Sequence, residues 1–377
     1  MSSIKRHLLA SSLALALPLA ACGGASEAEG DVSEGMGNAT PIPAVKEQEN
    51  DLPGEVVALP NDVTGAVVVA DNVLLRAGGE VLSGTVDKPN KSSSKVDSSC
   101  GELAPAHDVA VLPCGDGIHV IAADSTDTAV IGRGTAYSSA VGLKDGRILG
   151  HRADSDRIDV YGANGELSED FAASRHGSQL IEVPKAKAGE GANDDKVMLL
   201  EINRPETSIH EIVLSDSRSG NGLRAGIGVG PAVAADDGTV AAVDTKGNQL
   251  LIYTATDVVR LHQASPVPDG PWGVAIDEER DLVWVSSTVD GVLTAWDISS
   301  GTAVKVAKIP TVADPQGLVA LSDGSIVAYS ASGAGAHVLD KAAIDDEIDK
   351  QKSDADADAK LKELRKPEHR LPTGEKN

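Results

Sequence analysis

Aromatic side chains are scarce: one Phe, four Tyr and three Trp serve a chain of 377 residues, so any core must rest on Val, Ile, Leu and Ala. Basic residues are also in deficit, 33 against 57 acidic, for a formal charge of -24. A surface this acidic repels phosphate and argues against nucleic acid as a partner. Past residue 22 no stretch approaches the roughly 20 apolar residues of a membrane helix. Catalytic signatures are missing too. There is no Gly-x-Ser-x-Gly elbow, no His-Glu-x-x-His zinc motif and no phosphate-binding loop of the Walker type. Ser92-Ser93-Ser94-Lys95 meets Ser-x-x-Lys only inside a Ser/Lys-rich stretch, and Gly226-Ile227-Gly228-Val229-Gly230 leads into a strand rather than a helix. With only three cysteines, a dense disulfide framework is excluded.

What is present begins with export. Lys5 and Arg6 precede an apolar run from Leu8 to Ala21, the n-region and h-region of a secretory signal. The run then meets Leu19-Ala20-Ala21-Cys22-Gly23, which resembles the bacterial lipobox. Residues 1–21 are therefore expected to be a cleaved lipoprotein signal and Cys22 the lipidated residue, placing the protein on the extracytoplasmic face of the cell membrane. Two or three acyl chains anchor stably, since each buried methylene contributes about 0.8 kcal/mol. Residues 22–53, rich in Gly, Ala, Ser, Glu and Pro, read as a flexible linker extended by its own negative charge. In an exported chain the remaining pair, Cys100 and Cys114, is expected to form a disulfide.

Residues 54–340 repeat themselves. The clearest copy runs Pro271-Trp272-Gly273-Val274-Ala275-Ile276-Asp277, then Leu282 to Ser287, Gly291 to Asp297 and Val304 to Ile309: four short strands separated by turn formers. The same phrase stands 41 residues upstream at Gly230 and 44 downstream at Pro315, with weaker copies near Val63, Ala104, Ser138 and Gln179. Four strands in roughly 40 to 45 residues is one blade of a β-propeller. An all-β propeller of seven four-stranded antiparallel blades is expected. The last copy stops after three strands at Asp340, whereas Gly54-Glu55-Val56-Val57-Ala58-Leu59 has no blade of its own, so the first strand is expected to complete the last blade. Residues 341–377 form a charged tail, partly helical through Ile344 and Ile348. Its Asp354, Asp356 and Asp358 alternate like a calcium loop, but Ala359 and Arg365 occupy the positions where glycine and glutamate belong.

Two candidate sites stand out. Cys100, His107, Cys114 and His119 fall within 20 residues and could in principle close a tetrahedral zinc site, while a disulfide would consume both thiols. His107, Asp108 and His119 are then the residues left for a metal, with His107-Asp108 expected where the chain enters an inner strand. The tryptophans and the Trp296-Asp297 pair read as packing residues.

Across residues 225–340, Gly247-Asn248-Gln249-Leu250-Leu251-Ile252-Tyr253, Trp284-Val285-Ser286, Pro310-Thr311-Val312 and Ser330-Ala331-Ser332-Gly333-Ala334-Gly335-Ala336 resemble the actinobacterial LppL-type prolipoproteins, propeller lipoproteins with NHL-like blades. That resemblance implies a surface lipoprotein with no assigned reaction. Residues 99–121, with Cys-Gly-Asp-Gly at 114–117, are more weakly similar to exported propeller zinc chaperones, whose His-Gly-Asp-His loops this chain lacks. The function expected is a non-enzymatic, membrane-tethered module that binds an envelope protein or a small ligand and carries no cofactor. The alternatives are a zinc-handling chaperone and a calcium-dependent, lactonase-like hydrolase.

Overall fold

The computed structural model describes residues 35–45, 51–59, 62–124, 128–183 and 198–352. The signal, Cys22, most of the linker and the aspartates of the tail lie outside them. The chain divides after Gly35 into two compact units, of which the second, Met36–Asn377, holds the whole described fold.

That fold is a ring of seven four-stranded antiparallel sheets. β1 (Glu55–Val57) comes first in the chain and belongs to the last blade. The first blade is β2 (Gly65–Val69), β3 (Asn72–Ala77), β4 (Glu80–Thr85) and β5 (Lys88–Lys95), and the second is β6 (Ala104–Ala106), β7 (Val109–Cys114), β8 (Gly117–Ala122) and β9 (Thr128–Ile131). The third is β10 (Tyr137–Gly142), β11 (Ile148–Arg152), β12 (Arg157–Tyr161) and β13 (Leu167–Ala172), and the fourth is β14 (Gln179–Val183), β15 (Met198–Asn203), β16 (Ser208–Val213) and β17 (Arg218–Arg224). The fifth is β18 (Val229–Ala234), β19 (Thr239–Asp244), β20 (Gln249–Ala255) and β21 (Val259–Pro266), and the sixth is β22 (Pro271–Asp277), β23 (Leu282–Ser287), β24 (Val292–Asp297) and β25 (Val304–Pro310). The seventh is β26 (Pro315–Ala320), β27 (Ile326–Ser330) and β28 (Ala336–Leu339), completed by β1. The pairing Glu55↔Val338, Val56↔His337 and Val57↔Ala336 makes that closure, so the expected seven blades and the expected latch are both present.

Burial follows position in the blade. Strands in the middle of a blade are covered on both faces by neighbouring blades and are mostly apolar, as in β23 and β24, where every residue is buried. Outer strands alternate, as in β25, or are wholly polar in sequence, as in β5. Small residues do the work that aromatics do elsewhere. A side chain on Gly142 would overlap Ala106 of the neighbouring blade, so only glycine lets the second and third blades approach this closely. The three tryptophans sit in the sixth blade, with Trp284 fully buried and Trp296 donating to Thr294 Oγ1 at 2.9 Å.

Among the described residues one α-helix, α1 (Lys341–Lys352), follows the ring and packs against β25 and β28. Asp340 caps it, its Oδ1 accepting from the Ala343 N–H at 2.7 Å. Ile344, fully buried, and Ile348 join a cluster with Ile309, Ile326 and Leu339. Arg280 ties the helix down, donating to Asp345 Oδ1 at 3.0 Å, Asp277 Oδ2 at 2.8 Å and the Gly324 carbonyl at 2.8 Å. Replacing Ile344 with alanine is expected to lower stability by about 2–5 kcal/mol, the range for a buried isoleucine whose site collapses only partly. Urea unfolding of the variant beside the parent measures it, and a loss under 1 kcal/mol would show that the helix is not integral to the ring.

Candidate functional site

Antiparallel strands sort the loops onto two faces. Loops between blades and loops between the second and third strands share one face, and the remaining hairpin turns share the other. The first of these faces carries the chemistry.

At its centre stands Arg204, in the loop between β15 and β16. Its guanidinium forks onto Glu102, Nη1 to Oε1 at 2.8 Å and Nη2 to Oε2 at 2.9 Å, and lies 5.2 Å from the ring centroid of Trp272. Glu102 belongs to the loop before the second blade, Arg204 to the fourth and Trp272 to the inner strand of the sixth. Three non-adjacent blades of a seven-membered ring come close together only over its axis, so Arg204 spans the mouth of the central channel. The bidentate fork and the stacking on indole are the two geometries arginine makes and lysine does not. The Arg204 side chain is 14% exposed, and its Nε is buried with no hydrogen-bond partner in the structure.

Residues 36–45 run over the same face. The Gly37 N–H donates to the Ile227 carbonyl at 2.8 Å, Asn38 to Arg204 O at 2.8 Å and Val45 to Val289 O at 3.3 Å. The segment therefore crosses from the fourth blade to the sixth, with Ala39 buried and Ile42 and Val45 exposed. Expected as free linker, these residues instead spend backbone donors on the loops of the ring, which a mobile tether would satisfy with water.

A second polar group lies beneath this face, between the third and fourth blades. His151 and Glu201 are both 0% exposed, with Nε2 and Oε1 3.2 Å apart. Ser138 Oγ is 3.4 Å from His151 Nδ1, completing a Ser-His-Glu series. That series is not set up for nucleophilic catalysis. His151 Nδ1 is 2.8 Å from the Arg152 carbonyl and Nε2 is 2.8 Å from the Ser174 carbonyl, and a carbonyl can only accept. Both ring nitrogens are thus engaged by backbone carbonyls, and the Ser138 hydroxyl donates to Gly177 O at 2.7 Å rather than to the imidazole. Nearby, Tyr137 donates to Asp159 Oδ2 at 2.6 Å, while Arg152 forks onto the same carboxylate at 3.1 and 2.7 Å. Burial, reinforced by Asp159, pushes the Tyr137 phenol far above its ordinary range, so it stays protonated, donating to Asp159 and accepting from the Tyr161 hydroxyl.

The residues singled out in the sequence are placed as follows. Cys100 and Cys114 form a disulfide, joining the loop before β6 to the end of β7. His107 and Asp108 form the exposed turn after β6, side chains 66% and 81% accessible and 3.5 Å apart, with His107 at φ 54. This turn leaves an inner strand rather than entering one, and it sits on the opposite face from Arg204. His119 on β8 pairs across to Leu112, three residues beyond Val109 and so roughly 10 Å from that turn. The three residues expected to share a metal are therefore not gathered together. His119 is held instead by Asp116, Nε2 to Oδ1 at 2.8 Å, and this bond keeps the Asp116 carboxyl below the usual carboxylate range. Among the described residues no helix is long and apolar enough to cross a membrane.

No protein-family model matches the chain, and no curated protein matches it in sequence. Solved structures do match in fold. Hydrazine synthase of Kuenenia stuttgartiensis aligns at 13% identity and a TM-score of 0.60, covering 79% of this chain and 99% of that one. A streptogramin B lyase aligns at 12% and 0.57, over 76% and 96%, and the WD40 propeller domain of Doa1 at 12% and 0.57, over 78% and 98%. Proteins this different in name share the architecture alone, and this chain is a seven-bladed β-propeller.

Proposed function

We propose that this protein is a non-enzymatic binding module of the bacterial envelope, anchored through lipid on Cys22 and engaging a protein partner or small ligand at the face that carries Arg204. The observation behind this reading is the meeting of Glu102, Arg204 and Trp272 over the channel mouth, a largely covered arginine on an aromatic ring. Arginine and tryptophan are the side chains that most often dominate binding energy at such points. The signal and lipobox at residues 1–22 support the location. Residues 36–45 rest on the same face, so an anchor at Cys22 would hold that face toward the bilayer. Only 14 residues separate Cys22 from Met36, a reach of at most roughly 50 Å.

Cross-linking on intact membranes followed by recovery of the chain tests both halves. Wild type is expected in the membrane fraction with a specific bound component, and Cys22→Ser in the soluble fraction. Arg204→Ala with Trp272→Ala is expected to weaken capture roughly 30-fold, the equivalent of about 2 kcal/mol. Capture unchanged by the double substitution would move the binding surface elsewhere, and membrane retention of Cys22→Ser would remove the lipid anchor.

A further inference from the structure

One corner of the Arg204 face combines groups that neither the fold nor the proposed binding surface uses. Cys114 ends β7, Gly115 and Asp116 form the two-residue turn, and His119 lies on β8 behind it. Cys114 Sγ, a carboxylate oxygen of Asp116 and a ring nitrogen of His119 lie within 4.8 Å of one another. Cys100 is bonded to Cys114, so its sulfur occupies the same place. Two sulfurs, an imidazole and a carboxylate converge, which is the donor set of a tetrahedral zinc centre.

Two further details point to a ligand. His119 Nδ1 is buried and has no hydrogen-bond partner, a vacancy that carries an energetic cost in a folded protein. Its other nitrogen lies 2.8 Å from Asp116 Oδ1, so imidazole and carboxylate already stand side by side. The corner is also approachable. Asp116 is largely exposed, and a methyl group placed on Gly115 would meet nothing within 4 Å. While the disulfide is closed, neither sulfur can act as a thiolate ligand.

We propose that reduction of the Cys100–Cys114 disulfide opens a zinc site made of Cys100, Cys114, His119 and Asp116, so that this corner binds the metal when reduced and releases it when oxidised. The reductant is a dithiol. One of its thiolates attacks a sulfur of the pair to give a mixed disulfide, and its second thiol resolves that species. The dithiol leaves as a disulfide, having passed two electrons and two protons to Cys100 and Cys114. Zinc then displaces both thiol protons to solvent, and binding strengthens as pH rises. The site differs from a grouping of His107, Asp108 and His119, because the exposed turn at 107–108 takes no part.

The test uses the full chain carrying Cys22→Ser, so that only these two cysteines remain. The protein is reduced, freed of reductant without oxygen and titrated with zinc against a chelator. One zinc per chain is expected when reduced and none when oxidised, and cobalt in place of zinc is expected to show a thiolate-to-metal charge-transfer band. His119→Gln is expected to weaken reduced-state binding at least 10-fold, whereas His107→Gln leaves it unchanged. Circular dichroism of the reduced chain checks that the ring stays folded. Equal zinc binding in both redox states, no binding by the folded reduced chain, or an unaltered affinity in His119→Gln would each overturn the proposal.

Discussion

Replacing Glu201 with alanine lowers the unfolding free energy of the ring by about 3–5 kcal/mol, the cost of stripping one partner from a sealed histidine–carboxylate pair. The argument rests on how His151 is held. Both of its nitrogens face carbonyl oxygens, those of Arg152 and Ser174, each at 2.8 Å, so the ring is fixed from two sides. Glu201 Oε1 lies 3.2 Å from Nε2, and Oε2 accepts from the Ser174 N–H at 3.2 Å. The pair is closely packed, because a side chain on Gly177 would overlap both Glu201 and His151. In Glu201→Ala the buried imidazole loses its carboxylate neighbour and the Ser174 donor is orphaned. Glu201→Gln keeps the shape and is expected to lose less. Guanidinium unfolding of both variants measures the difference, and a loss under 1 kcal/mol for alanine would show that the pair contributes nothing to joining the third and fourth blades.

The fold was far more legible in the sequence than the site. Inner strands begin at residues 65, 104, 137, 179, 229, 271 and 315, each within two residues of the copies read from the repeat. This precision has a physical origin. Each inner strand opens where a loop crosses from one blade to the next, and that crossing needs the glycines and prolines that punctuate the chain. The latch was legible for a related reason, since an incomplete last blade leaves an unpaired edge and only one spare strand exists to cover it.

Periodicity says which residues face inward, but not which loops meet across the axis. Glu102, Arg204 and Trp272 carry no shared motif and are joined by ring closure alone. His151 and Glu201 stand on second strands of neighbouring blades, where a lone histidine in an apolar run gives no sign of its partner. The His107-Asp108 pair misled because adjacent residues in a two-residue turn point away from the body of the sheet, and its positive φ marks a hairpin corner rather than a ligand cradle. Composition also misplaced residues 36–45. Small and proline-rich segments cannot build a core, yet they can lie flat on one that already exists.

The latch at the seventh blade is expected to decide whether the ring stays closed. Deleting residues 54–59 removes the ladder onto β28 and withdraws Val57 and Leu59 from a cluster that includes Val63, Val327 and Tyr329. At roughly 1.5–3 kcal/mol for each large apolar side chain, with a further contribution from the ladder, the loss reaches about 5 kcal/mol, or a fall in Tm of roughly 10–20 °C. The bare edge of β28 is also expected to recruit other chains, so the variant should elute as oligomers. Gly54 fixes the entrance to this strand. At φ 78, with Val338 O packed against the place where a side chain would sit, Gly54→Ala should reproduce part of the loss. The latch is also sensitive to acid. His337, opposite Val56, accepts from Thr311 Oγ1 at Nδ1 over 2.8 Å and donates from Nε2 to the Pro53 carbonyl, so every polar position of the neutral ring is used. Burial lowers its pKa, partly opposed by the Pro53 contact. Because the native value lies below the unfolded one of about 6.5, the unfolded chain takes up the proton first as pH falls. Stability from this group is complete above that value and is lost as the pH drops toward the native pKa. Thermal unfolding at pH 7.5 and 5.5 should therefore show a larger drop in wild type than in His337→Gln. Equal drops would assign the acid sensitivity to other groups, and an intact monomer with unchanged Tm after the deletion would mean that six complete blades and a three-stranded seventh close without help.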